Sequence, residues 1–309
     1  SVLYTFFRGH SHHEAPRKEP YLFQEKTVRA IRSAISLRYQ LLPYIYGLHY
    51  HSHIAAEPVV RPVFFEFPEE ELLGDSSVAM LGDAFLICPV RDDTVSTVTC
   101  QLPLLDAYGR KVTWYSYPDG EAVSLSDSHD DSRIANTQVE IRGEIIPIFL
   151  RSHTIVPIWS RVRRSTQCMI DPEHNPLTLQ VALPSDWNTL EGDICKGRLY
   201  LDDYATTNYE KGAYAHRTFT FKKFGENSFA LTNSNTKVLY KPHSSNDANA
   251  LNDTHHKLKI EEIEVFGVTK EIKSVFFRQN GSEGPVSLDF RSKGRTLRIR
   301  GKDVMAVSE

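Results

Sequence analysis

The residues best placed to do chemistry form one stretch, Phe6-Phe7-Arg8-Gly9-His10-Ser11-His12-His13. Arg8 supplies a fixed cation for a carboxylate, and His10 can donate a hydrogen bond to a substrate hydroxyl. If Val2–Phe7 is a strand of a parallel barrel, this stretch lies just past its carboxyl end and faces the active-site mouth. His10 and His12 alternate as strand ligands of a metal would, and His13 adds a third nitrogen. No cysteine or suitably spaced carboxylate completes such a set, and adjacent histidines do not readily face one ion, so no metal site is expected. A polar loop whose histidines carry no chemistry is the plain alternative.

Other candidates are weaker. His49 and His53 share a helical face, but the H-E-x-x-H order of a zinc motif is missing, so His49, His51 and His53 read as a helix terminus. Glu66 could serve as a catalytic carboxylate only with a partner roughly 5–9 Å away, and no such partner stands out. Asp202-Asp203-Tyr204 reads as a turn rather than a cation loop. Arg161-Val162-Arg163-Arg164 is too short for a nucleic-acid patch and reads as a solvated linker.

Three kinds of element must position these groups. Val28, Ile31, Ile35, Leu42 and Ile45 recur at helical spacings, so a helix is expected from about Gln24 to Ile54, kinked at Pro43. The apolar run Val59–Pro68 reads as a buried strand, completing a strand–helix–strand unit. One such unit cannot bury itself, and it is expected to be the end of a larger barrel. From Val78 the pattern changes to short β-like runs between Gly, Pro, Asp and Ser: Ala84–Val90, Thr97–Leu102, Val112–Tyr117, Gln138–Ile141 and Ile145–Ile158. A second set runs from Leu177 to Arg300, broken by the Asn-, Asp- and Ser-rich stretch 244–254. The expected architecture is α/β plus all-β: the terminal part of a (β/α)8 barrel in residues 1–76, a proximal antiparallel β-sandwich in 77–160 and a distal one in 161–309.

The chain has 309 residues, 40% hydrophobic and 24% charged, which is globular composition. Its 36 basic and 39 acidic side chains give a net charge of −3, no footprint for nucleic acid. No run of 18 apolar residues offers a membrane span. The first residue is serine, within an expected strand, which suggests a piece of a longer protein. Cys88, Cys100, Cys168 and Cys195 contain no close pair; Cys88 and Cys100 could be bridged or be two buried thiols. Sequons at Asn252 and Asn280 lean toward a secretory compartment.

Phe6–His12, followed by Arg17-Lys18-Glu19-Pro20-Tyr21-Leu22, resembles glycoside hydrolase family 31. The resemblance continues through Leu37-Arg38-Tyr39-Gln40-Leu41-Leu42-Pro43-Tyr44, Arg61–Pro68, Leu81-Gly82-Asp83-Ala84, Thr154-Ile155-Val156-Pro157 and Leu199–Asp203. Arg161–Met169 is similar to a stretch in the members that remove α-(1,3)-linked glucose from N-linked glycans in the endoplasmic-reticulum lumen. The resemblance implies retaining α-glucoside hydrolysis by two aspartates, with no cofactor. It implies that both aspartates lie upstream, because none of Trp114, Trp159 or Trp187 begins the family's W-x-D motif. No residue of this chain is then catalytic, and the chain alone should be inactive. The resemblance assigns His10, with Arg8 as a buried neighbour, to the subsite that holds glucose. It implies as partners the N-terminal part of the same subunit and a noncatalytic β subunit that recognises mannose. Rival expectations are a maltase-like member of the family, or a noncatalytic carbohydrate-binding module with Trp114 or Trp187 as platforms. The sequence departs from the family pattern at Arg151-Ser152-His153 and at Tyr204, where glycines are usual, which touches turn geometry more than chemistry.

Overall fold

The computed structural model describes residues 2–74, 77–92, 94–125, 133–141, 147–170, 175–238, 259–278 and 284–306, and everything below concerns these. Asn252 and Asn280 lie outside them.

One long helix, α1 (Glu25–Ala55), precedes an all-β body. Glu25 stands in its first turn, where an acid suits the positive end of the helix, and accepts from Arg29 Nη1 at 2.7 Å. It stops at Ala56, which takes φ 58° while its N–H donates to the Ser52 carbonyl. Pro43 sits inside the helix without ending it and is buried. Having no N–H, it cannot serve the Tyr39 carbonyl. One residue further on, the Gln40 carbonyl accepts the Trp159 N–H at 2.9 Å, so the helix docks where its own ladder is interrupted.

The strands follow as β1 (Val60–Arg61), β2 (Ala79–Leu81), β3 (Phe85–Ile87), β4 (Thr97–Pro103), β5 (Trp114–Ser116), β6 (Ile134–Glu140), β7 (Ile148–Arg151), β8 (Thr154–Ile158) and β9 (Leu177–Ala182). Then come β10 (Asp193–Leu201), β11 (Ala215–Gly225), β12 (Ser228–Val238), β13 (Lys259–Phe266), β14 (Phe276–Phe277), β15 (Val286–Ser287), β16 (Asp289–Lys293) and β17 (Thr296–Ala306). A five-stranded sheet has the order β1-β2-β3-β7-β5, backed by the β4–β6 ribbon. An eight-stranded sheet runs β12-β11-β10-β8-β9-β13-β17-β16, with parallel pairs β10–β8 and β13–β9. The run expected at Ile145–Ile158 is therefore split, β7 joining one sheet and β8 the other, with the crossing made at Ser152-His153. His153 takes φ 66° and Tyr204 φ 54°, so both departures from the family glycines occupy left-handed backbone.

Two expected strands need correction. Val2–Phe7 forms turns and bends, because no neighbouring strand among the described residues offers it a ladder. Val59–Pro68 keeps only the two-residue β1, which pairs antiparallel with β2, and then winds into a 3-10 turn at Val63–Phe65. Pro62 removes a ladder donor, and the buried Arg61 guanidinium meets Glu66 Oε1 at 2.9 Å, curling the chain back.

Three apolar clusters hold the body. Trp187, Phe219, Leu179 and Ile263 centre the distal one, and Trp114, Phe67, Leu102 and Phe149 the proximal one. The third is shared: Leu41, Tyr44, Ile45 and Leu48 of α1 pack on Phe85 and Leu150 of the smaller sheet and Val156, Ala182 and Phe266 of the larger. Trp114 and Trp187 are 0% and 2% exposed, so neither is a platform for sugar. Cys88 and Cys100 are joined by a disulfide with a Cα separation of 5.9 Å, while Cys168 is an exposed and Cys195 a buried thiol.

Candidate functional site

The segment before α1 lies along the helix's amino-terminal half. Together they line a groove of about 1250 Å³, closed on the far side by Ile87, Pro89 and Val90. Ala30, Ile31, Ala34 and Ile35 form its helical wall, a continuation of the stripe that lower down is buried. Arg8 and His10 both line the groove and both are exposed. Arg8 has one described contact, its guanidinium lying 5.8 Å from the Phe6 ring centroid. In the 309-residue chain it stands exposed in the open groove.

The segment is held from α1. Arg38 Nη1 donates to the Val2 and Tyr4 carbonyls at 2.6 and 2.7 Å, and Nη2 to the Thr5 carbonyl at 3.3 Å. Its guanidinium also lies over the Phe7 ring at 5.1 Å. Leu3 adds an apolar anchor in the shared cluster.

His10 joins no group of three close metal-type donors among the described residues. The one triple of close metal-type donors among the described residues is His12, His13 and Glu14, all exposed and consecutive. His12 Nδ1 there already accepts the Glu14 N–H at 3.3 Å, and the His12 and His13 ring centroids lie 4.3 Å apart with the planes tilted by 37°. These are the contacts of a polar turn.

Glu66 is no free catalytic acid. Arg61 Nη1 holds one of its oxygens and Arg151 Nη1 the other at 3.1 Å. Burial pushes its carboxyl up and the two guanidinium groups push it down. Arg151 also donates to the Asp83 carbonyl at 3.3 Å and lies 4.7 Å from the Phe67 ring centroid, so this network pins β1, the following turn and β7. Asp202 likewise serves structure, accepting from the Tyr46 and Tyr200 hydroxyls at 2.6 and 3.0 Å and from the Tyr204 N–H at 2.8 Å. His49 and His53 are exposed, whereas His51 is half-buried against Arg198 and His216. Sequence reasoning missed Arg38 and this histidine pair, since both depend on partners remote along the chain.

Residues 1–48 match the model described as "Glycosyl hydrolases family 31 TIM-barrel domain", and residues 56–156 match the "Glycosyl hydrolase family 31 C-terminal domain". The rice "Probable glucan 1,3-alpha-glucosidase" is 31% identical, covering 100% of this chain and 30% of its own length. Human "Neutral alpha-glucosidase C" is 33% identical over 95% of this chain and 28% of its own. The "Crystal structure of ER glucosidase II heterodimeric complex consisting of catalytic subunit and the binding domain of regulatory subunit" superposes with a TM-score of 0.76 at 26% identity. It covers 99% of this chain and 31% of the solved one. The chain thus spans about a third of the length of its relatives.

Proposed function

The chain belongs to glycoside hydrolase family 31, and from that premise we propose that it is the C-terminal part of a retaining α-glucosidase of the glucosidase II type. The observation that carries this reading is the groove lined by Arg8 and His10, at the end of a helix whose other end is rooted in two β-layers. In this reading residues 1–76 close a (β/α)8 barrel, 77–160 form the proximal sandwich and 161–309 the distal one. Both catalytic aspartates come from the N-terminal part of the same subunit, which covers the open groove.

The chemistry assigned to the whole enzyme is double displacement. Two carboxyl groups about 5–5.5 Å apart form and then hydrolyse a covalent glycosyl-enzyme through an oxocarbenium-like transition state. His10 donates to a glucose hydroxyl and Arg8 supplies a nearby cation. Their contacts strengthen as the ring flattens, so they lower the barrier rather than merely retain the sugar. The substrate proposed is α-(1,3)-linked glucose on N-linked glycans, the site of action the endoplasmic-reticulum lumen, and the partner a noncatalytic β subunit that binds mannose. The Cys88–Cys100 disulfide supports an oxidising compartment. The similarity to a catalytic subunit solved together with the binding domain of its regulatory subunit supports the partner.

The test is an assay of the complete protein and of the 309-residue chain on α-(1,3)-linked glucobiose and maltose. We expect the complete protein to prefer the glucobiose and the chain alone to release no glucose. His10→Ala in the complete protein should fold normally and lose about 100-fold in kcat/KM. A preference for maltose would favour the maltase-like alternative, and glucose release by the isolated chain would overturn the reading.

A further inference from the structure

We propose that Arg38 is a positioning residue for the sugar-binding segment: it clamps the backbone of Val2–Thr5 and so sets where Arg8 and His10 stand in the groove. The proposal rests on the assignment of Arg8 and His10 to sugar binding given above. Three carbonyls converge on one guanidinium, those of Val2 and Tyr4 on Nη1 and that of Thr5 on Nη2. Only a planar fork of several N–H donors meets three acceptors in this way; a lysine offers one compact ammonium. The same guanidinium lies over Phe7, the residue immediately before Arg8.

Little else orders the segment. Among the described residues no backbone–backbone hydrogen bond involves positions 2–10, and the first, from the Ala15 N–H to the His12 carbonyl, lies beyond His10. Leu3 is the segment's one buried side chain. A stretch this thinly anchored contributes little to global stability, so its release should register at the groove rather than in the unfolding of the β-layers. Arg38 lies two residues before Gln40, where α1 binds the Trp159 backbone, so the clamp stands on a fixed part of the helix. Among the described residues its hydrogen bonds go to these three carbonyls and its ring contact is with Phe7, so it acts through the residues that follow.

The test combines a double-mutant cycle with limited proteolysis, both on the complete protein. Arg38→Ala should lower kcat/KM on α-(1,3)-linked glucobiose by about tenfold or more, as loss of several charge-assisted bonds predicts. In a His10→Ala background it should cost clearly less than in the parent, because one of the two groups it positions is gone. Millimolar guanidinium ion should restore the Arg38→Ala enzyme saturably and leave His10→Ala unimproved. Trypsin should cut after Arg8 faster in Arg38→Ala, while the sites in β10 and β11 stay resistant. Equal losses in both backgrounds, or unaltered cutting after Arg8, would overturn the clamp. A wild-type protein that does not cleave the glucobiose would sink the glucosidase reading alone, and the proteolysis would still decide on Arg38. Should Arg38→Ala not fold, Arg38→Lys, which keeps the charge without the fork, carries the same cycle.

Discussion

At the scale of single residues, space and backbone conformation set the sharpest limits. Gly82 takes φ 58° in the turn between β2 and β3, and a Cβ there would meet the Tyr44 hydroxyl and Leu48 Cδ2, the latter at 2.5 Å. Tyr44 cannot yield easily, since its hydroxyl donates to Asp83 Oδ1 at 2.9 Å and accepts the Ala84 N–H at 3.0 Å. Gly82→Ala should therefore destabilise by about 3 kcal/mol or more, read as a lowered denaturation midpoint in urea. Residue type singled out Arg8 and His10 in the sequence as donors on a loop, and the structure places both along the groove. Arg38 was not legible in the same way. Its partners are carbonyls 33 to 36 residues away, and a carbonyl has no identity in a sequence. For Trp114 and Trp187 the core was the preferred reading and the sugar platform its rival, and their burial decides for the core.

At the scale of elements, the carboxyl-terminal half of α1 meets β10 and β11 through a neutral histidine pair. The rings of His51 and His216 lie 5.4 Å apart, and Arg198 Nη1 lies 3.4 Å from His51 Nδ1. The Tyr50 ring flanks both, Tyr214 adjoins Tyr50, and Arg61 and Asp83 act on His51 from the smaller sheet. Burial first, then the neighbouring charges, pushes His51 down and His216 down to about 4. The unfolded chain thus binds protons between pH 6.5 and about 4 that the folded chain refuses. Stability is fully present above that window and falls as pH drops through it. The loss should be of order 1–2 kcal/mol, discounted for the solvent that still reaches the rings. Melting temperature against pH will show it, and His216→Asn should flatten the slope between pH 6.5 and 4. The helix itself was readable because its apolar residues repeat at 3.6-residue spacing over eight turns. The strand expected at Val2–Phe7 was not, since β-like composition describes a surface that suits a sheet and a ladder also needs a neighbour.

At the scale of the whole molecule, the Cys88–Cys100 bridge ties the middle of β4 to the residue that follows β3 inside the proximal cluster. Reduction should lower stability by about 3 kcal/mol, seen as a drop in melting temperature with dithiothreitol that Cys168 and Cys195 do not cause. The groove leaves Tyr4 and Phe23 roughly half exposed beside Ile31 and Ile35, an apolar face open to a partner. The isolated chain should bind a hydrophobic dye and self-associate at micromolar concentration, and both should vanish in the complete protein. Light scattering with and without the N-terminal part separates these outcomes. The division into an α/β start and two β-layers was legible because the sequence changes its periodicity near Val78; the assignment of β8 to the larger sheet was not, because Arg151–Thr154 changes layers without changing composition. The shared cluster carries one more consequence. Since α1 rests half on the β-layers and half on the groove, a lesion far out in the larger sheet would tilt the mast from which the proposed sugar contacts hang. Damage to an inert-looking buttress would then surface as poor turnover in a protein whose reacting groups are all intact.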